Sequence, residues 1–321
     1  MTSPTKILIG PEDAGNRLDV FLSEKLALSR SQVQKMIEHE QIQVDGKLPK
    51  KFGDKLKNGS EITCDSRQSE EFASKTKKTA DDYRDSHSPA VAIKIIAEAP
   101  DYIVLDKPTG TLTHPTMAKE KNALTEFLLK KYPEIKKVGE DTIRPGIVHR
   151  LDKEASGLLV VARTQKMFEH LKNQFKNHTI DKEYMVLVHG KVAKDWGEIN
   201  FPLRRSKTEA RMAAVPSDDA DTKEAKTEFL VEKRFINFTL LKVKIHTGRM
   251  HQIRAHFFAY GNPVVGDELY LNKKQKRTWD EKLGRLFLHC TKLEFTDLQN
   301  EKQNFESPLP VALSEFLKLL K

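Results

Sequence analysis

The 321-residue sequence has few cysteines and no long apolar segment. Its two cysteines, Cys64 and Cys290, lie far apart, which favours neither a disulfide framework nor a metal site and fits a reducing compartment. No window approaches the roughly 18 consecutive apolar residues that a membrane-spanning helix needs. Residues 1–10 lack the apolar core and cleavage site of a secretion signal. We therefore expect a cytoplasmic protein without a membrane partner.

The sequence also lacks a Cys/His cluster with metal-ligand spacing and a glycine-rich loop of the kind that binds phosphate. It gives no indication of a metal ion or a nucleotide cofactor. Positive charge, by contrast, is in excess: 55 Lys and Arg against 46 Asp and Glu give a formal net charge of +9. That excess suits a polyanionic partner, although a basic protein without such a partner explains the charge alone equally well.

The length predicts two domains, one of them large enough for a substantial core. Residues 66–90 are rich in Ser, Lys, Glu and Asp and contain only scattered apolar residues, which predicts a flexible linker. The linker separates a small domain over residues 1–65 from a large domain over residues 91–321.

The small domain is predicted to contain two helices and a hairpin. Apolar residues recur at helical spacing over residues 18–26 and again over residues 29–37. Residues 41–44 alternate like a half-buried strand and stop at Asp45-Gly46, a hairpin turn signal. A closing strand is expected around Ile62. Residues 1–15 show no clear pattern.

The large domain alternates strand and helix patterns. The basic segment 202–223 is predicted to form loops. We expect strands at residues 91–96, 102–105, 158–162, 182–190, 227–231, 238–245 and 286–290, and helices at residues 123–132 and 167–175.

The most informative stretch is residues 144–162, where a charged loop leads into an apolar run. The string His149-Arg150-Leu151-Asp152 follows a Pro-Gly turn. Residues 158–162 are apolar throughout, which predicts a strand buried on both faces. Chemistry tends to lie on loops held by such a scaffold. An Arg-x-Asp pair on its own, however, more often forms a structural ion pair or a cap.

Four further strings occur in the large domain: Lys107-Pro108-Thr109-Gly110, Lys182-Glu183-Tyr184, Thr247-Gly248-Arg249-Met250-His251-Gln252-Ile253-Arg254 and Gly261-Asn262-Pro263-Val264-Val265-Gly266-Asp267. Individually they are weak signals, because Lys-Pro-x-Gly is an ordinary turn and a tyrosine in a strand usually serves packing.

Together with the string at residues 149–152 and Ser156-Gly157-Leu158-Leu159, they resemble the motifs of the RluA family of pseudouridine synthases. The chain departs from the usual pattern at Ala155 and Met250, where the family more often has Thr. The resemblance covers residues 91–321. It implies a mixed, mainly antiparallel α+β catalytic domain.

The resemblance also implies roles for individual residues. Asp152 matches the catalytic aspartate, Tyr184 the tyrosine that lines the active site, and Arg254 the arginine that pairs with the aspartate. Arg150 is the candidate for filling the gap that a displaced uridine leaves. The role of Tyr184 stays open between a general base and a stacking surface for the displaced uracil. No catalytic role is assigned to His149 or His251.

The small domain resembles the S4 RNA-binding domain in Arg17-Leu18-Asp19, Ser29-Arg30-Ser31 and Gln43-Val44-Asp45-Gly46. This resemblance implies an α+β module that binds RNA. Its basic side chains are expected to contact phosphate, although any single one of them is more typical of a solvated surface. The candidates are Arg17, Arg30, Lys35 and Lys47.

These resemblances imply an isomerase that converts specific uridines of structured RNA to pseudouridine, with large-subunit ribosomal RNA as the expected substrate and tRNA as an alternative. The reaction neither oxidises nor hydrolyses, so no cofactor is expected. We expect a monomer. Two rival functions remain: a non-catalytic RNA-binding protein, and a carboxylate-dependent hydrolase of a nucleoside bond. Whether the aspartate adds to the ribose, adds to the base or assists elimination stays open.

Overall fold

The computed structural model describes residues 5–26, 33, 36–37, 41–49, 51–64, 93–115, 123–206, 209, 211–215, 221–271 and 278–321. The chain divides into two compact units, residues 1–90 and 91–321. The linker predicted over residues 66–90 lies outside the described residues, so its boundaries stay a prediction.

The first unit combines helix α1 (Leu18–Lys25) with strands β1 (Thr5–Leu8), β2 (Ile42–Val44) and β3 (Glu61–Cys64). The strands form an antiparallel sheet in the order β1-β3-β2. The first helix and the two later strands agree with the pattern in the sequence. Strand β1 was not predicted, because residues 1–15 show no apolar alternation.

The core of the first unit follows the predicted apolar faces. Leu18 and Leu22 of α1 pack with Ile62 of β3, and all three are fully buried. The predicted helix over residues 29–37 is described only at Val33, Met36 and Ile37, which are helical and buried. At the predicted turn, Asp45 and Gly46 both have positive φ, 51° and 71°. Left-handed backbone of this kind is what Asp-Gly turns accommodate.

The second unit contains eleven strands and five α-helices within its described residues. The strands are β4 (Lys94–Glu98), β5 (Tyr102–Lys107), β6 (Ser156–Ala162), β7 (Asp181–His189), β8 (Trp196–Ile199), β9 (Leu203–Arg205), β10 (Met212–Ala214), β11 (Thr227–Arg234), β12 (Phe238–Ile245), β13 (Leu288–Thr296) and β14 (Lys302–Glu306). The helices are α2 (Leu124–Lys131), α3 (Gln165–Lys176), α4 (Gln252–Ala259), α5 (Thr278–Leu283) and α6 (Val311–Lys318), with a 3-10 helix at Pro133–Lys137.

Nine of these strands form one sheet in the order β4-β5-β6-β13-β7-β12-β11-β8, with β14 paired to β13. Only the β6–β13 pair is parallel among the described strands. Each residue of β6 is buried, as the uninterrupted apolar run predicted. The expected fold class, mixed α+β with mainly antiparallel strands, is confirmed.

The parallel pair depends on Gly157. A Cβ at this position would lie 2.4 Å from the backbone N and O of Cys290, and φ is +116°. Only glycine tolerates both the close approach and the backbone conformation. The Ser-Gly step before the apolar run therefore lets β6 contact β13 directly behind the charged loop.

The segment predicted as loops over residues 202–223 contains a small ladder. Strands β9 and β10 pair in antiparallel register from Met212 with Arg205 to Ala214 with Leu203. The loop prediction was wrong there, because two three-residue strands are too short to show an alternating pattern. Tyr270 stabilises this ladder, since its hydroxyl accepts the Met212 N–H at 2.9 Å.

Candidate active site

A cleft of about 550 Å³ opens in the second unit. It is lined by the charged loop, by strand β7, by the end of α3 and by the start of α4. Asp152 is the only carboxylate among its described lining residues. The cationic side chains that share the lining are Arg144, Arg150, Lys176, Lys182, Arg249 and Arg254. The cleft therefore suits a polyanionic ligand and presents a single acidic group to it.

The loop that carries Asp152 is held from behind by Lys107. The Lys107 ammonium donates to the carbonyls of Ala155 at 2.7 Å, Thr111 at 2.8 Å and Pro108 at 2.9 Å. Burial lowers the pKa of Lys107 to about 7, and the charge of Asp152 opposes the shift. The Lys-Pro-x-Gly string thus ties its own loop to the loop of the aspartate.

Arg254 connects Asp152 to the rest of the site. Its Nη1 donates to Asp152 Oδ2 at 3.2 Å, while Nε and Nη2 donate to Asp267 at 2.7 Å and 2.9 Å. The Asp152 side chain keeps 14% of its surface exposed and Arg254 keeps 4%. A ligand in the cleft can therefore reach the carboxylate, whereas the guanidinium serves mainly as its fixed partner.

Two opposing effects act on the Arg254 guanidinium. Burial lowers its pKa, but the hydrogen bonds and the charge of Asp267, followed by the charge of Asp152, raise it above its ordinary value. Arg254 is therefore permanently charged. A planar guanidinium can bond to two carboxylates at once, which an ammonium group cannot do in this geometry.

The turn at Gly266 places Asp267 beneath Arg254. Gly266 has φ +77°, and a Cβ there would lie 1.9 Å from the carbonyl oxygen of Arg285. Asp267 Oδ1 also accepts the N–H groups of Leu269 and Tyr270, at 2.9 Å and 3.0 Å. The Gly-Asp string therefore fixes an acceptor for Arg254, a role that was not predicted for it.

His251 is a further neighbour of Asp152. It adopts a left-handed backbone with φ 52° immediately before α4. Its Nε2 is 4.0 Å from Asp152 Oδ1, and its Nδ1 is 3.3 Å from the Tyr270 hydroxyl. Burial lowers the pKa of His251, and the charge of Asp152 opposes this. These contacts are typical of a residue that helps to orient the loop carrying Asp152.

Tyr184 lines the floor of the cleft from strand β7 and is 4% exposed. Burial, and secondarily the neighbouring Cys290, raise the pKa of Tyr184 well above its ordinary value. The phenol therefore keeps its proton across the neutral pH range. This state suits a packing or stacking surface better than a general base.

The remaining predicted site residues are distributed over both units. Arg150 is exposed in the cleft lining. In the first unit, Lys47 is exposed, and Arg17 forms a 2.9 Å ion pair with Asp19. Arg30 and Lys35 lie outside the described residues. The cleft thus brings together Asp152, Tyr184, Arg254 and Arg150.

Among the described residues, no group of three or more His, Cys, Asp and Glu side chains could hold a metal ion. No helix within the described ranges is both long and apolar enough to span a bilayer.

Comparison with known proteins gives the class of this chain. The family model described as RNA pseudouridylate synthase matches residues 101–259, and the S4 domain model matches residues 16–62. The human RNA Pseudouridylate Synthase Domain Containing 1 structure aligns with a TM-score of 0.59 at 23% identity, covering 72% of this chain and 90% of that one. This last similarity supports the fold.

Two curated relatives extend the match over most of the chain. An uncharacterized RNA pseudouridine synthase of Aquifex aeolicus is 36% identical, covering 81% of this chain and 78% of the relative. The ribosomal large subunit pseudouridine synthase D of Nitrosomonas europaea is 34% identical, covering 96% of this chain and 85% of the relative. The chain therefore belongs to the RluA family of RNA pseudouridine synthases, which are isomerases, and carries an S4 domain. Both predicted resemblances are confirmed.

Proposed function

We propose that this protein converts specific uridines of large-subunit ribosomal RNA to pseudouridine, with Asp152 as the catalytic carboxylate. The contact between Asp152 and Arg254 carries the proposal, because it places a ligand-accessible carboxylate against a fixed cation. In the reaction the N1–C1′ bond breaks, uracil turns, and a C5–C1′ bond forms. A proton leaves C5 and N1 gains one, so the reaction balances without a cofactor.

Arg254 is proposed to orient Asp152 towards the glycosidic bond. Its two bonds to Asp267 fix the plane of the guanidinium and leave Nη1 for Asp152. Tyr184 supplies an apolar ring on the floor of the cleft, on which the detached uracil can lie while it turns. Preorganised groups of this kind avoid the cost of rearrangement during the reaction.

A uridine in folded RNA must leave its stack before it can reach Asp152. We propose that Arg150 enters the space that the uridine vacates. It is exposed at the cleft, and its charge is not engaged in an ion pair with any described residue. A guanidinium can stack on bases and contact phosphate at the same time.

Ribosomal RNA of the large subunit is proposed as the substrate because relatives from Nitrosomonas europaea and Borreliella burgdorferi carry the name ribosomal large subunit pseudouridine synthase D. The S4 domain is proposed to contact phosphates through Arg17, Arg30, Lys35 and Lys47. The protein is proposed to act as a monomer in the cytoplasm.

The proposal is tested by mapping pseudouridine across ribosomal RNA and tRNA from cells that produce either the wild-type protein or Asp152→Ala. We expect one or more large-subunit sites to disappear in the variant. If only tRNA sites disappeared, tRNA would be the substrate and ribosomal RNA would not. An unchanged map, with both proteins present and bound to RNA, would favour an RNA-binding protein without this activity.

A further inference from the structure

Lys182 is a buried cation on the wall of the cleft. It belongs to strand β7, is 7% exposed and lines the cleft with Tyr184. Its Nζ lies 5.0 Å from the centroid of the Phe175 ring. Across the described ranges, no carboxylate pairs with this ammonium group and no carbonyl accepts a hydrogen bond from it. Burial lowers the pKa of Lys182 to about 8.

His149 presents a second donor beside the same ring. Its ring stacks on Phe175 with centroids 4.7 Å apart, and its Nε2 accepts the Val160 N–H at 3.0 Å. Burial, and then the charge of Lys182, lower the pKa of His149 well below its ordinary value. The ring is therefore neutral with its proton on Nδ1. No acceptor for this Nδ1–H occurs in the part of the chain that the structure describes.

A cation held in a largely buried position without an acid beside it costs free energy, and a ligand that accepts a hydrogen bond from it recovers part of that cost. The buried Lys182 and the half-buried His149 flank one aromatic ring in the cleft that contains Asp152, and each has a donor available to a ligand. We propose that Lys182 and His149 together bind the O4 carbonyl oxygen of the target uracil and thereby select uridine over cytidine. This inference rests on the proposed function of the cleft.

The position of Lys182 favours a base over a phosphate. RNA continues on both sides of the target nucleotide, so its phosphates must stay where the chain can leave the cleft. Exposed cations are available there: Arg144, Arg150, Lys176 and Arg249 line the same cleft and are solvent-accessible. The base, by contrast, is the end of a side group, so no part of the RNA has to continue beyond it. Its O4 atom lies on the edge of uracil that points away from the ribose. It can therefore reach a buried donor.

The chemistry of the reaction fits the same contact. Turning uracil by half a revolution about its N3–C6 axis exchanges N1 with C5 and O2 with O4. A donor pair that binds O4 before the turn therefore binds O2 after it. Cytosine carries an amino group in place of O4, which would face the ammonium of Lys182 and leave both donors unpaired. Sites built to hydrogen-bond a ligand group reject analogues that lack it.

The test measures binding of two RNAs that differ only by uridine or cytidine at the target position. The uridine RNA is one in which the wild-type protein forms pseudouridine, and failure to find such activity would count against the proposed function itself. Asp152→Ala protein is used so that neither RNA reacts. We expect it to bind the uridine RNA at least about tenfold more tightly.

Adding Lys182→Met should weaken binding of the uridine RNA alone and reduce the preference to within about twofold. Lys176→Met is the matched control, because this exposed lysine lines the same cleft and should weaken binding of both RNAs by the same factor. Equal weakening of both RNAs by Lys182→Met would indicate a phosphate contact. No weakening would indicate no contact. Either result would overturn the inference.

Thermal unfolding at pH 7 separates binding from a structural role. The folded protein binds the Lys182 proton less well than the unfolded chain, so the charged lysine destabilises the fold below a pH of about 8. That cost disappears as the pH rises towards the ordinary lysine value. We therefore expect Lys182→Met to melt at the same or a higher temperature. A lower melting temperature, or failure to fold, would make Lys182 a structural residue and contradict the inference.

Discussion

Arg254 forms its two shortest side-chain hydrogen bonds with Asp267, at 2.7 Å and 2.9 Å, and only a longer one, at 3.2 Å, with Asp152. The cation beside the proposed catalytic carboxylate is thus held by a second, fully buried carboxylate. Asp267 is itself fixed by backbone N–H groups. The position of Arg254 therefore depends on a turn that does not line the cleft.

Asp267→Asn should impair both stability and turnover. The amide has one acceptor oxygen and no charge, so Arg254 would remain buried without its main counterion. Removing one partner of a buried pair typically costs about 3–5 kcal/mol. We expect a clear fall in melting temperature and a loss of turnover of about tenfold or more. Glu154→Gln is the matched control, because Glu154 is half exposed and its 3.4 Å contact with Arg254 should contribute only about 0–1 kcal/mol. Similar effects for both variants would contradict the role of Asp267.

Arg254→Lys keeps the charge but loses the planar set of donors. A lysine can bond to Asp267 or to Asp152 but cannot orient both carboxylates. We expect the variant to fold and to lose about 100-fold in kcat, the cost of a misplaced catalytic group. Circular dichroism and single-turnover kinetics would check both points. Turnover at the wild-type rate would contradict the proposal that Arg254 orients Asp152.

Tyr184→Phe separates the ring from the hydroxyl. Because burial raises the pKa of Tyr184 well above its ordinary value, the hydroxyl is protonated at neutral pH and is a poor general base. We expect the rate to stay within about threefold of wild type, with an unchanged pH profile, since losing a true general base costs about 100-fold or more. Tyr184→Leu, which removes the ring, should lose more. A 100-fold lower rate for Tyr184→Phe would instead show that the hydroxyl takes part in catalysis.

Arg150→Ala tests insertion into the RNA stack. If Arg150 fills the vacated space, its loss matters only where the uridine is stacked in folded RNA. We expect kcat/KM to fall about tenfold more on a structured substrate than on a flexible strand containing the same target sequence, a difference of about 1.4 kcal/mol. Lys176→Ala, another exposed cation of the cleft, should affect the two substrates equally. Equal losses for Arg150→Ala would contradict insertion.

The sequence predicted the elements that periodicity defines. The apolar run after Gly157 predicted strand β6, and the spacing of Phe168, Leu171 and Phe175 predicted helix α3, because an apolar period depends only on local geometry. Strand β1 and the β9–β10 ladder were too short or too irregular to be found in this way.

The motifs located the cleft, and the resemblance implied the pairing of Arg254 with Asp152 that the structure contains, but the other contacts inside the cleft were not predicted. Arg254 and Asp267 are adjacent because the turn at Gly266 folds back against Arg285, which no local pattern reveals. That no carboxylate of the described ranges pairs with Lys182 depends on which side chains surround strand β7 after folding. Pairing between side chains is a tertiary property, and the string that contains Asp267 predicted only a turn.

The release of tritium from C5 of uridine reports the isomerisation itself. Forming the C5–C1′ bond expels the hydrogen of C5, so RNA labelled with tritium at that carbon releases it into water as pseudouridine forms. We predict release by the purified wild-type protein and a rate at least about 1000-fold lower for Asp152→Ala. Equal release by both proteins, or free uracil without released tritium, would contradict catalysis of this isomerisation by Asp152.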